Sequence, residues 1–198
     1  MKKHLYILML PALFTACMGA GDDYSDDGAR DNAQEEMSDF EALMTEKFQE
    51  SELPYTCNVN FDNFDPQESD YLSQKEFELL ELYMIFPEGY VENRYSAIDK
   101  IELENGIKLV IIAEELGDHE LSTYLMTYTK QEIYISNVRL AYDEIAEGFL
   151  QIDSKIEGDK ITRTTTITLD EVIKQKEHYF ILDDGQIIWE EDLQEESM

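Results

Sequence analysis

The sequence predicts an α+β chain: one or two N-terminal helices, then a seven- to eight-stranded antiparallel meander, curled as a half-barrel or as two packed layers. Three observations carry this. Apolar residues recur at helical spacing in the first half, and from about Ala97 the period changes to two. The period-two segments are rich in Ile, Val, Thr and Tyr. Short turns built on Gly, Asn and Asp divide them. Of the 198 residues 43% are hydrophobic and 11% aromatic, which supplies a core and excludes wholesale disorder.

The first helix is expected over residues 38–50. Ser38 and Glu41 have capping-box spacing, and Phe40, Leu43, Met44 and Phe48 share one face. A second helix has two candidate starts. Asp65 as N-cap with Pro66 and Glu68 is one, and Ser73 with Glu76 is the other. Its apolar face runs through Leu72, Phe77, Leu80 and Met84, and it ends before Pro87. The intervening run Asn58–Asp70 is dense in Asn and Asp. Asn58, Asn60 and Asp62 match positions 1, 3 and 5 of a calcium loop, but Asn63 replaces Gly and Ser69 replaces Glu. A polar turn leading to an N-cap is the preferred reading.

Strands are expected at 97–103, 107–114, 120–129, 132–141, 149–157, 160–169, 177–183 and 186–190. Asn105-Gly106 and Asp184-Gly185 read as type I′ hairpin turns. Most strands alternate, with one face buried and one wet. Ile107–Ala113 is more nearly continuous and reads as a central strand. Residues 143–147 read as a turn or a single helical turn.

The N-terminus reads as an address. Lys2 and Lys3 precede an apolar stretch broken only by Pro11, too short to span a bilayer. Thr15 and Ala16 stand directly before Cys17. Residues 1–17 resemble a bacterial lipobox signal, with Phe14 where Leu is common. The resemblance implies a signal peptide over 1–16 and a diacylglycerol on the Cys17 thiol. Cys57 would then be left as a free thiol, the chain having two cysteines. An ordinary secretory signal is the alternative. Residues 17–37 read as a lipidated Cys and acidic disordered tether, 38–90 as the helical segment, and 91–198 as the meander with an acidic tail. Acids soon after Cys17 (Asp22, Asp23, Asp26, Asp27) resemble the export signal of surface lipoproteins in the Bacteroides group; a solvated linker accounts for them equally well. Over residues 97–190 the order of hairpins and strands, with Ala-Tyr-Asp-Glu-Ile-Ala-Glu-Gly at 141–148, resembles C-terminal domains of uncharacterised lipoproteins of that group. This implies a fold and an outer-membrane compartment, and no activity.

The net charge of −30 argues against nucleic acid as a partner. It is unevenly spread. Residues 22–52 hold twelve acids and two bases, 183–198 hold seven acids and no base, and 93–182 hold seventeen acids and ten bases. The charge therefore describes the tether, helical segment and tail more than any binding site.

Chemistry is sparse. His119 and His178 fall at or near strand starts, which supports no zinc site. The sequence has no nucleophile elbow, P-loop or dinucleotide fingerprint. Cys57 reads as a buried structural thiol. Acid pairs are frequent by chance in a chain with 45 acids. Tyr124, Tyr128, Tyr134 and Tyr142 fall on consecutive strands and either make an aromatic surface for a partner or pack within the sheet. Trp189 reads as a staple for the last strand. The expected function is a non-enzymatic envelope lipoprotein, tied to the membrane through Cys17, that binds a protein or saccharide and needs no cofactor or metal. An inhibitor masking a basic partner and a carboxylate-dependent hydrolase are the alternatives.

Overall fold

In a computed structural model the described residues are 37–88, 90, 94–117, 119–144 and 149–191. The expected signal, Cys17, residues 17–36 of the expected tether, residues 145–147 of the expected 143–147 turn and the tail from 192 lie outside them; Asp143 and Glu144, the start of that expected turn, instead end a strand. The chain forms α1 (Asp39–Lys47), β1 (Gln49–Glu50), β2 (Tyr55–Cys57), α2 (Gln74–Leu79), β3 (Arg94–Glu102), β4 (Lys108–Leu116), β5 (Glu120–Tyr128), β6 (Tyr134–Glu144), β7 (Leu150–Glu157), β8 (Lys160–Thr168), β9 (Val172–Ile181) and β10 (Ile187–Trp189). One open sheet of ten strands runs β1-β3-β4-β5-β6-β7-β8-β9-β10, with β2 paired to β7. The balance is mainly β rather than α+β, because α1 and α2 span only nine and six residues. Among the described residues no helix is long and apolar enough to cross a membrane.

The eight expected strands are all present. β1 and β2 were not expected. β1 adds two residues in parallel to β3 at Asp99 and Lys100. β2 is explained by a gap. β6 and β7 pair only at Tyr142 and Ile152, while β8 lines the other edge of β7 throughout. Where β6 diverges, Tyr55–Cys57 takes the vacant edge against Ser154–Ile156.

β4 is the centre. Its Leu109–Glu114 run is buried without alternation, so both faces are covered. On one face Val110 and Ile112, with Met126 and Tyr128 of β5, pack under Phe40, Leu43, Met44, Phe77 and Leu80. On the other, Leu109, Ile111, Leu125 and Leu140 meet Ile156, Ile161 and Ile181 from the second half of the meander, so the sheet curls over itself.

Ser38 caps α1 by accepting from the Glu41 amide at 3.0 Å. α2 uses the later of its two candidate starts, with a reciprocal capping box between Ser73 and Glu76. The Pro66 start yields only a single 3-10 turn at Glu68–Asp70. Leu72, Phe77 and Leu80 are buried as expected, but Met84 is 56% exposed. The chain enters a left-handed residue at Glu81, which rotates Met84 off the buried face.

The hairpin turns differ from the type I′ expectation. Leu103–Ile107, Thr129–Ile133 and Leu182–Gln186 share one pattern: the first amide bonds the fifth carbonyl, and the fourth amide bonds the first carbonyl. Positive φ occurs only at the fourth residue, Gly106 (82°), Glu132 (67°) and Gly185 (87°). This is the three-residue loop with a left-handed fourth position. Asn105 and Asp184 each accept from the amide two residues on, which holds the turn without a left-handed backbone of their own. Glu132 occupies the place that glycine holds in the other two turns. Its carboxylate accepts the Ser38 hydroxyl at 2.6 Å, which couples this turn to the start of α1.

Gly185 also makes a close approach. A Cβ there would lie 2.5 Å from Ile135 Cδ1 and 3.1 Å from Ile107 Cδ1, and its carbonyl accepts the Thr127 hydroxyl at 2.7 Å. Gly185→Ala is expected to cost about 2–4 kcal/mol from backbone strain and overpacking. Gly158→Ala, at φ 63° with nothing within 4 Å of the new Cβ, is expected to cost only about 1 kcal/mol. Urea denaturation of the two variants checks this, and equal losses contradict it.

Candidate functional site

The loop from β2 to α2 must cross from the β6–β7 gap to the helical face, and it passes the edge of β3. Its Asn and Asp side chains fold it. Asn60 Oδ1 accepts from the amides of Asp62 and Asn63, Asn63 Oδ1 accepts from the Asn60 amide, and Asn63 Nδ2 donates to the Asn58 carbonyl. These bonds make the segment the polar turn that the sequence favours. Among the described residues no group of three or more His, Cys, Asp or Glu is placed to hold a metal ion. The Phe61 amide donates to Asp143 Oδ2 at 3.0 Å, which ties the loop to β6.

Between this loop and β3 lies a cleft of about 410 Å³, within the size range of small-ligand sites. Lys47, Gln49, Asn63, Asp65 and Asp70 supply polar groups, and Phe64 with Val59 and Ile98 supplies apolar surface. β3 bulges between Ala97 and Asp99, at the cleft wall. Lys47 is fixed by donation to the Tyr71 carbonyl at 2.6 Å and by an ion pair with Glu76 at 3.1 Å. Burial opposes the Glu76 charge, but bonds from Ser73 and the Lys47 ammonium hold its carboxyl below the usual range. Asp70 is engaged on both oxygens, by the Gln67 amide at 2.7 Å and the Ser69 hydroxyl at 3.3 Å. A smaller cavity of about 180 Å³ lies beneath α1, between Met44, Glu50, Lys100 and Lys108.

The four singled-out tyrosines lie along β5 and β6. Tyr128 is fully buried, donates to the Leu80 carbonyl at 2.7 Å and meets Phe40 edge-on at 5.0 Å. Tyr134 packs against Tyr128 at 6.0 Å, and Tyr124 meets Phe86 at 5.2 Å. Tyr142 is 8% exposed, with its hydroxyl donated to Glu144 at 3.0 Å. The rings of Tyr128 and Tyr142 are thus spent on internal packing. Burial raises the hydroxyl pKa of Tyr124, Tyr128 and Tyr142, and neighbouring carboxylates add to it at Tyr124 and Tyr142.

Cys57 is free and 1% exposed. Burial pushes its thiol up to about 12, and the charges of Asp99 and Asp153 add to this. Beside it Asp99 accepts from Ser51 at 2.8 Å and from Tyr55 at 2.6 Å. Burial first, then the Asp99 contact, raises the Tyr55 phenol. His119 is exposed, and His178 Nδ1 lies 3.2 Å from the Thr162 hydroxyl. Trp189 lies half-buried opposite Tyr179.

Comparison with family models, curated proteins and solved structures finds no match to this chain. The cleft was not foreseen from sequence. The available signal was a pair of aromatics, Phe61 and Phe64, inside the Asn/Asp-rich loop, of which Phe64 lines the cleft. Because folding holds the Cys57 proton more tightly than the unfolded chain does, its stabilisation is intact below the ordinary thiol value of 9.0 and is lost as pH rises toward about 12. Cys57→Ala is expected to flatten that part of the stability–pH curve. An unchanged alkaline slope contradicts the assignment.

Proposed function

We propose that this chain is a lipid-anchored binding module of a bacterial cell envelope, held by Cys17, and that the cleft beside the 58–70 loop takes a saccharide. The cleft lining is the observation that carries the reading. A flat apolar ring, Phe64, stands among amide, carboxylate and ammonium groups from Gln49, Asn63, Asp65 and Lys47. That set suits a ligand with hydroxyls around its rim and C–H faces between them. The fixed Lys47 and the self-bonded loop present these groups with little ordering left to do on binding. Binding is favoured over carboxylate hydrolysis at this place, because Asp70 is turned to its own loop's donors. The strand path, held together at β6–β7 by the Tyr142–Ile152 pair, also favours a half-barrel over two separate layers.

The lipid anchor rests on Lys2, Lys3, the short apolar stretch and Thr15-Ala16 before Cys17. Cys17→Ala is expected to abolish the lipid mass increment and membrane fractionation in a bacterial host. A variant that keeps both contradicts the anchor. For the cleft, calorimetric titration with a panel of neutral and amino oligosaccharides is expected to give binding that Phe64→Ala and Gln49→Ala each weaken by about tenfold. Variants that bind like the native chain, or no binding at millimolar ligand, count against the saccharide reading.

A further inference from the structure

The second half of the meander presents a strand edge that no described residue covers. β10 pairs only with Tyr179–Ile181, although β9 begins at Val172. From Val172 to His178 the strand is bonded to β8 on one side and to no described strand on the other. Val172–Lys176 are all exposed. Glu190 and Glu191, the last described residues, are helical and do not extend β10 along this edge.

The edge has a defined chemistry. Val172, Lys174, Lys176 and His178 share one face, directly opposite Thr168, Thr166, Thr164 and Thr162 of β8. Val172 is 62% exposed. On the other face Glu177 is held by Arg163 at 2.7 Å, so its charge is already met. Of the groups facing Lys174 across the sheet, Asp153 on β7 is the acid that its charge reaches. In a chain of net charge −30, the open edge thus carries two lysines spaced for one side of an incoming strand.

We propose that the open edge of β9, Val172–His178, takes an extended acidic polypeptide segment as an added strand. Carboxylates at alternate positions lie opposite Lys174 and Lys176, and an apolar side chain reaches Val172. Main-chain bonds supply affinity in this mode, and the alternate side chains supply selection. Direct cross-strand pairs of opposite charge stabilise, and like pairs destabilise. A second copy of this chain, paired antiparallel about Gln175, would set Lys174 against its partner's Lys176. The same lysines therefore discourage self-pairing and admit an acidic strand. The surface is separate from the loop 58–70 cleft, so the two readings stand or fall independently.

The test is amide hydrogen exchange of the full chain with a short peptide of alternating Glu and Thr ending in Val, beside its Lys-for-Glu counterpart. The acidic peptide is expected to slow exchange at residues 172–178. The double variant K174E/K176E is expected to lose at least about tenfold in affinity for it and to gain affinity for the Lys peptide. Both sites are exposed, and an unchanged circular dichroism spectrum shows that the variant is folded. Several results overturn the proposal. They are equal binding of the two peptides, protection elsewhere, or no protection at millimolar peptide. Slow exchange in the free chain of the alternate amides that point away from β8 also overturns it, as the tail from 192 would then be the occupant. So does protection that grows with protein concentration alone, as copies would then be pairing.

Discussion

Everything in this fold follows from a central strand buried on both faces. β4 offers apolar side chains to both sides of the sheet, so each side needs its own cover. The N-terminal helices supply one cover and the returning half of the meander supplies the other. The helical cover is small. α1 and α2 together span fifteen residues, and neither would persist alone in water. Their stability comes from Phe40, Leu43, Phe77 and Leu80 docking on Val110, Ile112, Met126 and Tyr128.

The sheet returns without closing, and side-chain contacts take the place of a closing strand pair. The turn at Gly185 seats against Ile107 and Ile135, the Thr127 hydroxyl bonds its carbonyl, and Asn105 donates to the Asp183 carbonyl. At the other divergence, β2 fills the gap between β6 and β7 and brings Cys57 into the interior. That placement obliges the chain to cross the β3 edge on its way to α2. The candidate cleft lies at this crossing, beside Ala97 and Ile98. The cleft is a consequence of where β2 had to go; Asn63, Asp65 and Asp70 of its polar lining come from the crossing loop, and Lys47 and Gln49 from α1 and β1.

The meander was legible because its strands are rich in Ile, Val, Thr and Tyr and are divided by Gly, Asn and Asp turns; alternation itself marks β7, where Ile152, Ser154 and Ile156 are buried and Lys155 and Glu157 are exposed. The continuous run at Ile107–Ala113 likewise announced a strand covered on both faces; β5, equally covered, was not announced because Ser122, Thr123 and Thr127 are polar residues buried inside it. β1 and β2 were not legible, because two and three residues carry no period; what defines them is a vacant strand edge elsewhere in the chain. The first half of β9 was missed for a different reason. Val172–Lys176 is exposed on both faces, so its pattern carries no burial signal. The turn type was misread because Asn-Gly and Asp-Gly serve two loop geometries, and only the hydrogen-bond pattern separates them. Tyr128 and Phe64 show the same limit for the site. Both are aromatic residues beside polar ones, yet one is buried against Leu80 and the other lines a cleft, a difference set by long-range packing.

The central claim is that both halves of the sheet share one core around β4. Trp189 tests it well, being the only tryptophan and lying on β10, at the far end of the returning half. Urea unfolding followed by Trp189 fluorescence and by far-ultraviolet circular dichroism is predicted to give a single coincident transition. A fluorescence transition at lower urea than the loss of strand signal would mean that the returning half unfolds by itself, and would contradict the account.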